Sequence, residues 1–160
     1  MSDLTVALLI ASAVGSALMA GVFFAFSTFV MSALGRLPAV QGIAAMQQIN
    51  VTVINPWFIG GFLGTGATCV AAAVSVLIDW DSSYGPLVLI GGALYVLGSI
   101  ALTASYHQPR NLALARLDPD GPDAARRWAS YRAGWTALNH VRTIVPAIAS
   151  GLLIGALNAN

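Results

Sequence analysis

The chain has 160 residues, 58% of them hydrophobic and only 8% charged, with a net charge of +1 and a mean hydropathy of +0.79. A water-soluble domain covers its surface with about 25% charged residues, so this composition excludes an ordinary soluble fold and indicates an integral membrane protein. The seven basic residues are all arginine and the six acidic ones all aspartate; no basic patch interleaves with exposed aromatics, which leaves nucleic-acid binding without support.

The first apolar segment runs from Leu4 to Leu34. It is preceded by Asp3 and no basic residue, and it continues through Phe23, Phe24, Phe26 and Phe29. It therefore reads as a retained span, since a cleavable signal needs a positive start and a shorter core. Ser12, Ser16 and Ala20, and likewise Ala17, Gly21 and Ala25, follow the small-xxx-small spacing of closely packed membrane helices. A helix of this length reaches roughly 46 Å, so its last turns, with Ser27, Thr28 and Ser32, are expected to enter the headgroup region or line a cavity. Residues 39–54 follow as a short interfacial helix ending before Asn55-Pro56, with Gln47 and Asn50 on one face.

The second span covers 57–78 and holds the single Cys69, which has no disulfide partner and reads as a small buried hydrophobe. The third covers 86–106. The turn sequence Asp118-Pro119-Asp120-Gly121-Pro122 then starts a helix over 122–137, on which Trp128, Tyr131, Trp135 and Leu138 recur at helical spacing. That stripe suits an interfacial anchor or packing face, with an aromatic substrate wall as the alternative. The fourth span covers 138–157, and within it Pro146 leaves the carbonyl of Arg142 without its helical donor. The expectation is an all-α, single-domain, integral membrane four-helix bundle over 1–160, with an amphipathic cytoplasmic helix before the last span. Each span has the roughly 20 residues needed to cross the hydrocarbon.

The arginines fall on one side. Arg36 lies in the first connection; Arg110, Arg116, Arg126, Arg127 and Arg132 lie in the third, with Arg142 just inside the fourth span. The second connection carries Asp79 and Asp81 and no basic residue. The positive-inside rule places the arginine-rich loops in the cytoplasm and both termini outside a multi-pass cell-membrane protein.

Polar side chains gather at the arginine end: His107 and Asn111 after the third span, Asn139, His140 and Arg142 at the fourth, and Gln47, Asn50 and Asn55 in the first connection. Ionisable groups at such depth need partners or a watery cavity. No span contains a carboxylate, and zinc-ligand spacing, a phosphate-binding glycine loop and a serine elbow are all missing from the sequence. A haem or copper held by His107 and His140 remains open as a competing reading. So does a non-catalytic membrane subunit or scaffold, whose small-residue faces equally suit a second copy of the chain. A transporter has least support, because no acidic residue lies within a span to couple ions.

Several short blocks carry a resemblance. They are Phe24-Ala25-Phe26-Ser27 with Val30-Met31, Met46-Gln47-Gln48-Ile49-Asn50, Asn55-Pro56, Pro109-Arg110-Asn111, and the run Trp128, Tyr131, Trp135, Asn139-His140, Arg142-Thr143. In this order and spacing the chain resembles the anthrone-oxygenase-like family of small four-helix membrane proteins. The family's third-span motif often reads Asn-x-Pro-Leu-Asn, whereas this chain has His107-Gln108-Pro109-Arg110-Asn111, a departure that bears on the substrate rather than the fold.

The resemblance implies oxidation of a flat, lipophilic polyketide aromatic by dioxygen, with no cofactor or metal required. In that reading His140 is the general base, and Asn139 and Arg142 stabilise the oxyanion. His107, Asn111, Gln47, Asn50, Asn55 and Ser27 line the substrate site, and Tyr131 and Trp135 stack on the rings. The implied partners are the lipid bilayer and a lipophilic small molecule.

Overall fold

A computed structural model describes residues 1–159 and folds them into five helices, with no strand among the described residues. They are α1 (Asp3–Arg36), α2 (Ala39–Thr52), α3 (Pro56–Ile78), α4 (Gly85–Ala115) and α5 (Ala124–Asn158). All but α2 are long and apolar enough to cross a membrane. Their outward faces carry Val14, Phe24, Val74, Leu97 and Ile148, each half exposed or more. Such a continuous apolar surface is stable only against lipid. The chain is an all-α, multi-pass membrane bundle.

Local chemistry sets the helix starts. Ser2 Oγ accepts from the Thr5 N–H at 3.2 Å at the head of α1. Asn55 Oδ1 accepts from Trp57 and Phe58 N–H groups at 3.1 and 3.0 Å, with Pro56 in the first turn of α3. Each cap satisfies donors that a helix start leaves orphaned. In the α3–α4 connection the Ser83 hydroxyl and N–H both donate to Asp81 and hold its carboxyl below the usual range.

The four long helices form a ring in which α1 touches α3 and α5, and α4 touches the same two from the other side. Two apolar clusters fill it. One, at the termini end, includes Leu9, Phe23, Cys69, Val88, Tyr95 and Leu153; the other, at the arginine end, includes Met31, Ile43, Met46, Trp128, Tyr131 and Trp135. Hydroxyls tie the first cluster together: Ser12 donates to Thr68 at 3.0 Å, Ser150 to the Ala13 carbonyl at 2.9 Å, and Tyr95 to the Phe62 carbonyl at 2.9 Å. Of the two small-residue stripes on α1, Ser12, Ser16 and Ala20 are buried in the ring. On the other stripe Ala17 and Gly21 face outward.

Three differences from the sequence expectation matter for the site. The helix expected over 122–137 and the span expected over 138–157 are one continuous helix, α5. No glycine, proline or turn sequence separates them, so only composition changes at the boundary. The third span likewise runs past residue 106 to Ala115. Finally, the backbone widens to π-helical turns at Phe26–Val30 in α1 and at Val96–Ala101 and Thr103–His107 in α4. Each widened turn shifts which face the following residues present.

Close approach of α4 to α5 depends on Gly91. A Cβ there would lie 3.1 Å from Leu153 Cγ and 3.2 Å from the Ala149 carbonyl oxygen. Gly91→Val is expected to wedge the two helices apart and lower stability by about 1–3 kcal/mol, read as a reduced melting temperature in detergent.

Candidate functional site

A cavity of about 540 Å³ lies at the arginine end, enclosed by α1, α2, the start of α3, the second half of α4 and the middle of α5. Its walls are mostly apolar, with Phe23, Phe26, Phe58, Phe62, Met46 and Trp135 prominent. The polar side chains facing it are Gln47, Asn50, Thr103, Gln108, Asn111 and Arg142. Its rim includes Val51, Ile54 and Leu112, which are 67%, 65% and 51% exposed. That apolar part of the rim gives the cavity a mouth that a lipophilic ligand can cross.

The inward face of α5 builds one wall. Trp128, Tyr131, Trp135, Asn139, Arg142 and Pro146 are all buried and recur every three or four residues. The aromatic stripe seen in the sequence is thus a packing face that becomes a cavity wall at Trp135. His140 is one residue beyond Asn139, roughly 100° around the helix, and is exposed on the outward side.

Arg142 is 5% exposed. Its Nη1 donates to Thr103 Oγ1 at 3.0 Å, and Nη2 donates to Asn139 Oδ1 at 2.7 Å. The Phe23 ring centroid lies 4.4 Å from Cζ and that of Trp135 lies 5.1 Å away. Nε is buried with no hydrogen-bond partner. Every contact is neutral. A buried cation in a low-dielectric bundle carries a desolvation cost of several kcal/mol, which amides, a hydroxyl and ring faces offset only in part.

Asn139 is held in turn. Its Nδ2 donates to the Phe23 carbonyl and to Ser27 Oγ, both at 2.8 Å, leaving Oδ1 for Arg142. Ser27 Oγ also lies 3.0 Å from Thr143 Oγ1. The chain Ser27–Asn139–Arg142–Thr103 therefore links α1, α5 and α4 and orients the guanidinium. On the opposite side, Asn111 Oδ1 accepts from Tyr131 Oη at 2.9 Å and Trp135 Nε1 at 3.1 Å. Two donors on one oxygen fix the amide, and its Nδ2 is left for the cavity that Asn111 lines. Asn50 Nδ2 is also buried and without a partner. Gln47 Nε2 donates to the Leu114 and Leu117 carbonyls at 2.9 and 3.0 Å, closing the end of α4.

The residues singled out from the sequence thus separate. Arg142, Asn111, Gln47, Asn50 and Trp135 line the cavity; Asn139, Ser27 and Tyr131 orient them from behind. Asn55 is a helix cap and does not line the cavity. His107 is fully buried behind Trp135, with ring centroids 5.2 Å apart at 90°. Its Nδ1 sits 3.4 Å from the Leu102 carbonyl and Nε2 3.3 Å from that of Trp135. A neutral imidazole has one N–H, so it satisfies one carbonyl at a time, and only with the proton on Nε2 does its hydrogen bond tie α4 to α5.

This placement bears on two expectations. His140, expected as the general base, lies on the exposed side of α5 and does not line the cavity. His107 and His140 point into different surroundings, one buried and one outward, so they do not form the facing pair that a haem or copper site would use. Thr103 and Phe23, which contact Arg142, carry no sequence signal of their own. Thr103 reaches that position through a π-helical turn that simple helical spacing does not anticipate.

The anthrone oxygenase family matches residues 55–152 of the chain. The chain belongs to the anthrone oxygenase family. No curated protein and no solved structure matches it. Within the matched anthrone oxygenase region lie Thr103, Gln108, Asn111, Trp135, Asn139 and Arg142. The α1 and α2 walls, with Phe23, Gln47 and Asn50, precede it.

Replacing Asn139 removes the charge-assisted acceptor of Arg142. Asn139→Leu is expected to cost about 1.5–3 kcal/mol, whereas His140→Leu on the outward face should stay within about 0.5 kcal/mol of wild type. Thermal unfolding of both variants in the same detergent checks the contrast.

Proposed function

We propose that the cavity takes a flat, lipophilic anthrone from the bilayer, holds it as its oxyanion and lets it react with dioxygen. The observation that supports this reading most directly is Arg142, a buried guanidinium with only neutral partners, facing an apolar cavity. A ligand that develops negative charge on oxygen supplies the missing counter-charge. The Asn111 amide, whose oxygen is held by Tyr131 and Trp135, adds a donor for a further oxygen on the same ligand.

The chemistry follows from stabilising that anion. Loss of a proton from the methylene between the rings leaves charge on the ring oxygen, where the product is an aromatic phenolate. Arg142 favours this form before and during reaction, and the proton passes to water at the cavity mouth. One electron moves from the anion to dioxygen, and the carbon radical and superoxide join in a C–O bond. The peroxide anion takes up a proton from water to become a hydroperoxide, which then loses its remaining C–H proton and expels hydroxide from the O–O bond, leaving a carbonyl. One dioxygen is consumed and one water released for each quinone formed. No step in this scheme calls on a cofactor. The arginine side is assigned to the cytoplasm on charge asymmetry.

Purified protein in lipid nanodiscs should oxidise an anthrone faster than the uncatalysed background, followed by oxygen uptake and quinone absorbance. Arg142→Met is expected to lower the rate by about 10²–10³-fold, the range for removing a principal oxyanion donor. His140→Ala should leave it unchanged. In Arg142→Met the pH at which the rate rises should also move upward, because a cation beside the substrate favours its deprotonated form and its loss raises the substrate's apparent pKa. A wild-type rate equal to background, or full activity in Arg142→Met, would overturn the reading.

A further inference from the structure

A second concavity lies on the arginine end, outside the cavity and beyond the apolar runs of α4 and α5. It measures about 590 Å³ and is lined by Arg110, Arg126, Arg127, Ser130 and Tyr131 over a floor containing Leu114 and Leu117, with Asp123 at its edge. Three guanidinium groups thus meet one carboxylate. The ion pair there, Arg126 Nη2 to Asp123 Oδ1 at 2.8 Å, is the one ion pair among the described residues, and it leaves Arg110 and Arg127 without a carboxylate partner.

Arg110 is also held in place. Its Cζ stacks 3.9 Å from the centroid of the Tyr106 ring, and the Tyr106 hydroxyl donates to the Gly134 carbonyl at 3.2 Å. Gly134 makes room for both, since a Cβ there would lie 2.9 Å from the Tyr106 oxygen and 3.5 Å from the Arg110 guanidinium. An arginine fixed on a ring face presents its remaining N–H edge with little entropy left to lose.

We propose that this cleft binds a phosphate-bearing anion, and that its source is the headgroup of an anionic phospholipid. The depth argues for lipid: residues 110–131 follow the apolar run of α4 and precede that of α5, so the cleft opens where headgroups lie. The floor argues the same way, because leucine side chains below a ring of guanidinium groups match the junction between a phosphodiester and its acyl chains. Arginine forks suit phosphate oxygens, and basic pockets at helix ends are established binders of anionic headgroups.

The test uses native mass spectrometry of the intact protein released from discs of mixed phosphatidylcholine and phosphatidylglycerol. Wild type should retain phosphatidylglycerol in preference to phosphatidylcholine. The double variant Arg110→Gln/Arg127→Gln should lose that preference by about tenfold or more, from roughly 1 kcal/mol for each arginine near the surface. The double variant Arg36→Gln/Arg116→Gln, with the same charge removed outside the cleft, should keep it. Equal retention by the cleft variant, or equal loss in both doubles, would overturn the site, the second by showing only diffuse attraction. Inorganic phosphate titrated against lipid-loaded wild type distinguishes the sources. No displacement supports the lipid headgroup, whereas displacement with stabilisation of delipidated protein overturns it in favour of free phosphate.

Discussion

A single buried guanidinium organises the arginine end of this bundle. Arg142 sits in an apolar interior without a carboxylate, and the surrounding hydrogen bonds follow from having to accommodate it. Asn139 is oriented by α1 so that its oxygen meets the cation, Thr103 is carried to it by a widened turn of α4, and two aromatic faces close over it. Replacing the group by a neutral residue of similar volume would relieve a desolvation cost. Its presence at the wall of a cavity is the feature on which the proposed oxyanion site rests.

The two ends of the molecule divide the work. At the termini end, glycine and serine contacts bring the helices close and leave little space between them. At the arginine end, α2 and the outer halves of α4 and α5 splay around an open volume, with Gln47 sealing the end of α4 and Asn111 locking two aromatic side chains in place. A closely packed half thus supports a half that encloses a cavity. Preorganised donors act on a developing charge only when their positions are fixed beforehand.

Much of this was legible in the sequence because lipid imposes strict rules. Four long apolar runs have no stable alternative to spanning helices, and polar residues such as Asn139 and Arg142 stand out against them. The side on which each residue faces was less accessible. His140 adjoins Asn139 in sequence yet lies roughly 100° around the helix on its exposed side, and only the phase of the buried stripe on α5 decides between them. His107 looked like a site residue for the same reason, an ionisable group at the right depth, but its ring is taken up by backbone carbonyls. The continuity of α5 was hidden by a change of composition with no matching backbone signal.

The widened turns of α4 have a consequence for how this helix tolerates change in length. Each π-helical turn amounts to one residue inserted into an α-helical register. The segment before Val96 therefore packs in one phase, against α3 and α5, and the segment after His107 presents Gln108 and Asn111 to the cavity in another. Deleting one residue within either widened turn would remove one of these two insertions and turn the outer half by roughly 100°. Asn111 would swing off the cavity wall while the hydrophobic profile of the span stayed almost unchanged. For α4, then, residue count within the helix is as much a determinant of the cavity as residue identity.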